Sequence, residues 1–328
     1  MKFLIAGLGS IGRRHLRNLI ALGERDVILY RTGKSTLPED ELHGFEPESD
    51  LGAALDRRPD AVIVSNPTAL HLDVAIPAAR AGCHLLIENP VSDSMERIDE
   101  LRQSVADGGG QALVGFQFRQ HPTLRTVKTI IEDGDLGRAI SVRAHWGEYL
   151  PEWHPWENHE ISYAARRELG GGALLTLCHP FDYLRWIFGD VVAAQGLFGD
   201  ALSLDVEGLV EAVLRFRSGL LASVHLDYLQ RPPEHSLEIV GENGRLRWDG
   251  RTEDLEVRLS SGWISQRQLV PAGFERNDLF VAEMRHFLQV ASGETAPVCT
   301  LEDGIRVQEI IAQVRDSALR GEQDGARR

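Results

Sequence analysis

Three glycines and one distant histidine are the residues whose spacing suggests chemistry. Gly7, Gly9 and Gly12 follow the apolar run Phe3-Leu-Ile-Ala6 in the pattern G-x-G-x-x-G. An apolar strand that ends in this spacing and opens a helix can cradle a pyrophosphate. Gly7 permits the tight turn, Gly9 lets an anion approach the backbone, and Gly12 lets the helix pack close to its strand. The first-turn N–H groups, at Ser10, Ile11 and Gly12, then face the phosphates, and Arg13 stands where a guanidinium could join them. Much later, His179 and Asp182 lie three apart in a helical pattern and so share a face. An imidazole oriented by a carboxylate can move a proton.

The elements around the glycines read as an alternating strand and helix series. Helical spacing continues from Arg13 to Leu22 and stops at Gly23; Asp26 to Tyr30 is the second strand. An acidic residue near this strand end usually holds the ribose 2′-hydroxyl of NAD. Here the chain reads Tyr30-Arg31-Thr32-Gly33-Lys34-Ser35. Arg31 suits a 2′-phosphate, so NADP(H) is preferred and NAD(H) remains possible.

Thr36 to Asp50 reads as an acidic loop with a short strand near Gly44–Phe45. A helix from Leu51 and a strand at Ala61–Ser65 follow, then Asn66, Pro67 and Thr68. Thr68 is expected to cap the helix containing His71. Asn66 and Pro67 become candidate walls of the nicotinamide side, and His71 reads as a packing or hydrogen-bonding residue beside them. His84–Ile87 is a strand ending in Glu88-Asn89-Pro90. Ser94 to Leu101 reads as a helix and Ala112–Phe116 as the last strand of a parallel, doubly wound sheet. The domain boundary is expected at residue 118.

The second domain, residues 119–328, begins with a helix over His121–Glu132 and a strand over Ile140–Trp146. Tyr149-Leu-Pro-Glu-Trp-His-Pro-Trp-Glu157 is rich in aromatics and prolines, and reads as a ligand-lining or packing loop. Tyr163, Arg166 and Arg167 follow at helical spacing. Ala173 to Ile187 reads as one continuous helix. Seven strand patterns between Val191 and Leu269 predict a large, mainly antiparallel sheet. If its second face is apolar, it needs a partner subunit. Asn277–Val290 and Leu301–Leu319 read as closing helices, capped at Asn277 or Asp278 in the first case, and the chain from Gly321 reads as loose. Arg119, Arg166 and Arg167 could meet a carboxylate or phosphate, or serve as surface ion pairs.

Composition limits the function classes. The 328 residues are 43% apolar and carry a formal charge of −14, which suits a folded two-domain protein and argues against non-specific nucleic-acid binding. Cys83, Cys178 and Cys299 have no zinc or disulfide spacing, and no metal is expected. They suit a reducing, cytoplasmic setting. The N-terminus has no convincing signal peptide, and no apolar stretch is long enough to span a membrane.

GLGSIG at Gly7–Gly12, SNPTALH at Ser65–His71, IENP at Ile87–Pro90 and GGGALLTLCHPFD at Gly170–Asp182 together resemble the Gfo/Idh/MocA oxidoreductases over nearly the whole chain. The resemblance implies an α/β protein: an N-terminal Rossmann dinucleotide-binding domain and a C-terminal α+β domain with the large sheet. It implies hydride transfer at a hydroxyl or carbonyl carbon of a small, carbohydrate-like substrate, in a homodimer or homotetramer. It places Asn89 where a lysine is usual and Thr176 near a usual aspartate, and it matches His179 to the motif histidine. His179 would then move the proton, with Asn89, Thr176 and Tyr163 aligning the oxygen. Gly7, Gly9, Ser10, Ile11, Gly12, Arg13, Arg31, Asn66, Pro67, His71, Glu88 and Asn89 would surround the dinucleotide. The two altered positions leave two alternatives: a non-net redox epimerase or lyase, and an inactive dinucleotide-binding protein.

Overall fold

A computed structural model describes residues 1–33, 37, 42, 44–45, 47–154, 157–200 and 202–326. The segments containing Lys34, Ser35, Thr36, Pro155 and Trp156 therefore lie outside the described residues at those positions. The chain divides into two compact units. The first contains Met1–Gln117, Glu168–Gly170 and Glu275–Gln308; the second contains Phe118–Arg167, Gly171–Phe274 and Glu309–Arg328. A boundary placed by chain order alone misses the return of Glu275–Gln308, which packs with the N-terminal sheet.

In chain order the first unit contains β1 (Phe3–Ala6), α1 (Ser10–Ala21), β2 (Val27–Tyr30), α2 (Leu51–Asp56), β3 (Ala61–Val64), α3 (His71–Arg80), β4 (His84–Glu88), α4 (Ile98–Gly108) and β5 (Ala112–Gly115). The strands form one parallel sheet in the order β2-β1-β3-β4-β5. Their short apolar runs are almost wholly buried, as expected for strands covered on both faces.

Several local expectations are corrected. Gly44–Phe45 is not a strand; the chain instead pairs with β2 by a single bridge, Tyr30 with Glu48. Thr68 makes no cap hydrogen bond, because a 3-10 turn over Thr68–Leu70 precedes α3. Helix α4 begins at Ile98 rather than Ser94. The Ser92 and Ser94 hydroxyls accept the N–H groups of Ser94 and Glu96, which holds those residues in turns.

The second unit contains α5 (Pro122–Glu132), β6 (Ala139–Tyr149), α6 (Ala173–Thr176), α7 (His179–Phe188), β7 (Val191–Gly199), β8 (Leu209–Phe216), β9 (Leu221–Asp227), β10 (Leu229–Gly241), β11 (Gly244–Asp249), β12 (Asp254–Leu259) and β13 (Ile264–Gln268). The eight strands run β13-β12-β11-β10-β6-β9-β8-β7, and only β6 and β9 pair in parallel. Alternation sends Val142, Ala144 and Trp146, with Val224 and Leu226, to the buried face. On the other face Leu197, Val213 and Leu221 are exposed among charged residues.

The expected single helix over Ala173–Ile187 is two helices. Pro180 has no N–H to give the Thr176 carbonyl, and its ring would collide with that group in a continuous helix. The chain breaks at Leu177–Cys178, which places Pro180 in the first turn of α7. Tyr163–Ala165 and Arg167–Leu169 are 3-10 turns rather than one helix.

Helix α8 (Arg276–Ala291) lies in the first unit, and α9 (Leu301–Ala326) begins there and ends in the second. α8 is capped by Glu275, which exchanges hydrogen bonds with Asp278 in a capping box. α9 continues through Gly321 to Ala326, so the tail expected to be loose is helical that far. Met284, Phe287 and Val290 of α8 join Leu16 and Leu19 of α1 in one core over the parallel sheet. No described helix is long and apolar enough to cross a membrane.

Candidate active-site residues

In the first unit the glycine turn is built by close backbone approach. Gly7 has φ +92°, and its N–H donates to the Tyr30 carbonyl at 3.1 Å. A Cβ there would stand 2.4 Å from the Asn66 nitrogen. A Cβ on Gly12 would stand 1.9 Å from the Gly7 carbonyl oxygen. Gly9 differs: among the described residues nothing lies within 4 Å of its Cβ position. Gly9 is also the N-cap of α1 and supplies no side-chain cap. The helix cannot satisfy its own first-turn donors, Ser10, Ile11 and Gly12. Open space above those donors fits a pyrophosphate.

Sequence reasoning missed Ser65 as a brace of this turn. Its hydroxyl lies 3.1 Å from the Ala6 carbonyl and 3.0 Å from the Gly7 carbonyl, tying the β3 tip to the turn. Asn66 follows; its Nδ2 donates to the Leu70 carbonyl at 2.7 Å, while its Oδ1 is buried without a hydrogen bond among the described residues. That acceptor fits an amide donor such as a carboxamide. Pro67 leads into the following 3-10 turn.

Arg13 does not point outward. It is 5% exposed, and its Nε and Nη2 donate to the carbonyls of Leu8 and Leu37. Its observed bonds secure the glycine turn. Arg31, beside the β2 tip, donates its backbone N–H to Glu48. His71 is a strut: its ring nitrogens lie 3.0 Å from the carbonyls of Pro90 and Asn66. Burial pushes its pKa down from 6.5, against the opposing effects of Glu88 and the neighbouring carbonyls.

Glu88 is also engaged within the protein. His15 Nε2 lies 2.6 Å from its Oε1, and its Oε2 accepts from the backbone and side-chain nitrogens of Asn89. Asn89 Nδ2 donates further to the Gly115 carbonyl at 2.7 Å. A ligand contact from Asn89 would therefore use its Oδ1 acceptor.

In the second unit, His179 opens α7 inside an aromatic cage. Its ring stacks on Trp146 at 5.0 Å and meets Phe118 edge-on at 5.1 Å. Trp146 also stacks on His235 at 4.2 Å. The alternation along β6 is the signal for an inward Trp146; His235 was missed. The Asp182 carboxylate, expected to orient His179, is bonded to Arg119. Both side chains are almost completely buried, so Arg119 is not an exposed anion receptor either.

Thr176 closes α6 and donates to the Gly172 carbonyl at 2.8 Å. Its hydroxyl also contacts that of Tyr228, which reaches the Ala164 carbonyl at 3.3 Å. This fixes the turn carrying Tyr163, whose own side chain is 41% exposed. Burial drives the Tyr228 pKa well above its ordinary value, so it remains a hydroxyl. Glu207 accepts from the Leu174 N–H, and burial raises its pKa. Arg167 reaches the Asp205 carbonyl.

One further cluster, His145, His225 and Asp227, brings three potential metal ligands within 4.8 Å of one another. The two imidazoles are stacked, 4.3 Å apart and 19° from parallel. A tetrahedral ion needs ring planes that converge on it. Glu211 and Asp227 already occupy both nitrogens of His225, at 2.6 and 2.9 Å. The arrangement fits a proton better than a metal ion.

Residues 1–116 match the profile of the oxidoreductase family with the NAD-binding Rossmann fold, and residues 124–247 match the Gfo/Idh/MocA C-terminal domain. The chain belongs to the Gfo/Idh/MocA oxidoreductase family. It is 26% identical to levoglucosan dehydrogenase of Pseudarthrobacter phenanthrenivorans, covering 75% of this chain and 70% of the relative. It is 27% identical to myo-inositol 2-dehydrogenase of Thermotoga maritima, covering 93% and 92%. A solved levoglucosan dehydrogenase, in complex with NADH and levoglucosan, superposes with a TM-score of 0.86 at 22% identity over 98% of this chain and 97% of that one. That likeness concerns the fold. This Gfo/Idh/MocA oxidoreductase thus has the Rossmann domain and the sheet domain of its family.

Proposed function

We propose that this protein is an NADP(H)-preferring dehydrogenase or reductase acting at a hydroxyl or carbonyl carbon of a sugar, nucleotide sugar or cyclitol. The observation carrying the cofactor preference is Arg31, directly after the Tyr30 whose carbonyl accepts from Gly7. It adds a cation beside the glycine turn where an NAD site usually has an acid. The substrate class rests on family membership and on relatives named levoglucosan dehydrogenase and myo-inositol 2-dehydrogenase.

Bound nicotinamide would supply the hydride acceptor or donor. The chain's own residues handle binding and the proton. Ser10, Ile11 and Gly12 offer backbone donors to the pyrophosphate, and Asn66 Oδ1 offers an acceptor. His179 takes the hydroxyl proton on oxidation and returns it on reduction. Trp146 and Phe118 fix its ring. Asn89, Thr176 and Tyr163 align the reacting oxygen. The open sheet face, with Leu197, Val213 and Leu221 exposed, supports assembly as a homodimer or homotetramer.

The test follows nicotinamide absorbance with NADPH and NADH against sugar, nucleotide-sugar and cyclitol panels. Net turnover should favour NADPH, and Arg31→Ala should reduce that preference at least about tenfold. His179→Ala should lower kcat about 10²–10⁴-fold with NADPH affinity preserved within about twofold. An NADH preference unaffected by Arg31→Ala would overturn the cofactor assignment. Product formation without net absorbance change would overturn net oxidation or reduction.

A further inference from the structure

Three arginines in the first unit fall outside this scheme. Arg14 and Arg17 are three apart on α1, and Arg276 opens α8. The packing of the two helices brings them to one rim. Arg14 lies over the Phe280 ring at 4.5 Å, His15 meets Phe280 edge-on, and Asn18 and Asn277 exchange side-chain hydrogen bonds at 3.1 and 3.5 Å. Arg276 is one turn before Phe280 and adjacent to Asn277, so it shares that rim.

Glu275 and Asp278 cap α8 reciprocally, and Glu88 is held by His15 and Asn89. Among the described residues Arg14 forms no ion pair, although it is half-buried. Burial, followed by the charges of Arg276 and Arg17, pushes its pKa below the ordinary arginine value against the opposing charge of Glu88. Like charges gathered around a partly desolvated guanidinium favour an anion to bridge them.

We infer that Arg14, Arg17 and Arg276 form a second anion site, for a phosphoryl group of a small ligand, distinct from the phosphate cradle at Gly9. Its position separates it from a cofactor 2′-phosphate. Arg31 follows β2, at one edge of the sheet, whereas Arg14 adjoins His15, which bonds Glu88 at the β4 tip. The ligand could be inorganic or could carry its phosphate on a nucleoside diphosphate.

Calorimetric titration of the full chain with inorganic pyrophosphate, at fixed ionic strength and with or without saturating NADH, tests the site. Wild-type protein should retain a pyrophosphate site when NADH is bound. Arg14→Gln and Arg276→Gln should each weaken that site at least about tenfold while NADH affinity changes less than about twofold. Parallel titration with uridine diphosphate identifies the source: tighter binding than pyrophosphate assigns a nucleoside diphosphate, and equal binding assigns the inorganic anion. Loss of all pyrophosphate binding when NADH is added would overturn the inference, because only the cofactor cradle would then be occupied. Unchanged binding by both variants would overturn it as well. Turnover is not needed, so failure here is separable from failure of the proposed reaction.

Discussion

Arg119 and Asp182 form a two-pronged ion pair: Nε lies 3.1 Å from each carboxylate oxygen, and Nη2 lies 2.7 Å from Oδ1. Their side chains are 2% and 1% exposed. The pair joins the segment before α5 to the first turn of α7, where His179 also lies. Asp182→Ala should leave a buried guanidinium without this partner and cost about 3–5 kcal/mol, read from chemical denaturation. If Asp182 instead served mainly to orient His179, Asp182→Asn would lower kcat while leaving the denaturation midpoint unchanged; that outcome would sink the structural assignment.

Gly9 and Gly12 separate binding from folding. Gly9→Ala adds a Cβ to open space, so stability should change by less than about 0.5 kcal/mol. The new methyl group stands in the phosphate approach, and the NADPH dissociation constant should rise at least about tenfold. Gly12→Ala drives a Cβ into the Gly7 carbonyl at 1.9 Å and should cost about 1–3 kcal/mol. Thermal denaturation and fluorescence titration measure both effects. Wild-type affinity in Gly9→Ala would remove the phosphate from this turn.

The parts of this architecture legible in sequence were those governed by local periodicity. Phe3–Ala6 and Ala61–Val64 are uninterrupted apolar runs because their strands are covered on both sides, and β8 alternates because its faces differ. Long-range partners were less legible. Spacing made Asp182 a natural neighbour of His179, but Arg119, 63 positions away, holds its carboxylate. Apolar spacing also carried a helix through Leu177, where the missing N–H of Pro180 breaks it. Chain order could not assign α8 to the first unit, since that depends on Met284 and Phe287 reaching the N-terminal core. The site had the same division: the glycine motif was visible, while the Trp146 and His235 cage needed strand register.

His225 provides a pH-dependent contribution. The hydrogen bond to Asp227, with further support from Glu211, raises its pKa from 6.5 to about 9 against the opposing effect of burial. A raised folded-state pKa means that the stabilisation is fully present below pH 6.5 and is lost as pH rises through about 9. The ring is partly solvated, so screening limits the effect to about 1–2 kcal/mol. Urea unfolding of wild type and His225→Gln should differ most near pH 6 and converge near pH 10. A constant difference across that range would exclude imidazolium as its source.

Tyr228 is predicted to act through Thr176. The Thr176 hydroxyl donates to Gly172 and is in contact with the Tyr228 hydroxyl, itself directed to the Ala164 carbonyl. Tyr228→Phe preserves the buried ring but removes that hydroxyl, and should cost about 0.5–1.5 kcal/mol. Thr176→Val removes the other end of the contact at nearly constant shape. Because both substitutions remove the same hydroxyl–hydroxyl contact, their effects on unfolding free energy should be non-additive by about 0.5–1.5 kcal/mol in a double-mutant cycle. Thr176→Ser retains the hydroxyl and should restore most of the coupling. Additivity within about 0.3 kcal/mol would show that the two hydroxyls are neighbours without energetic connection, and Tyr228 would lose its positioning role.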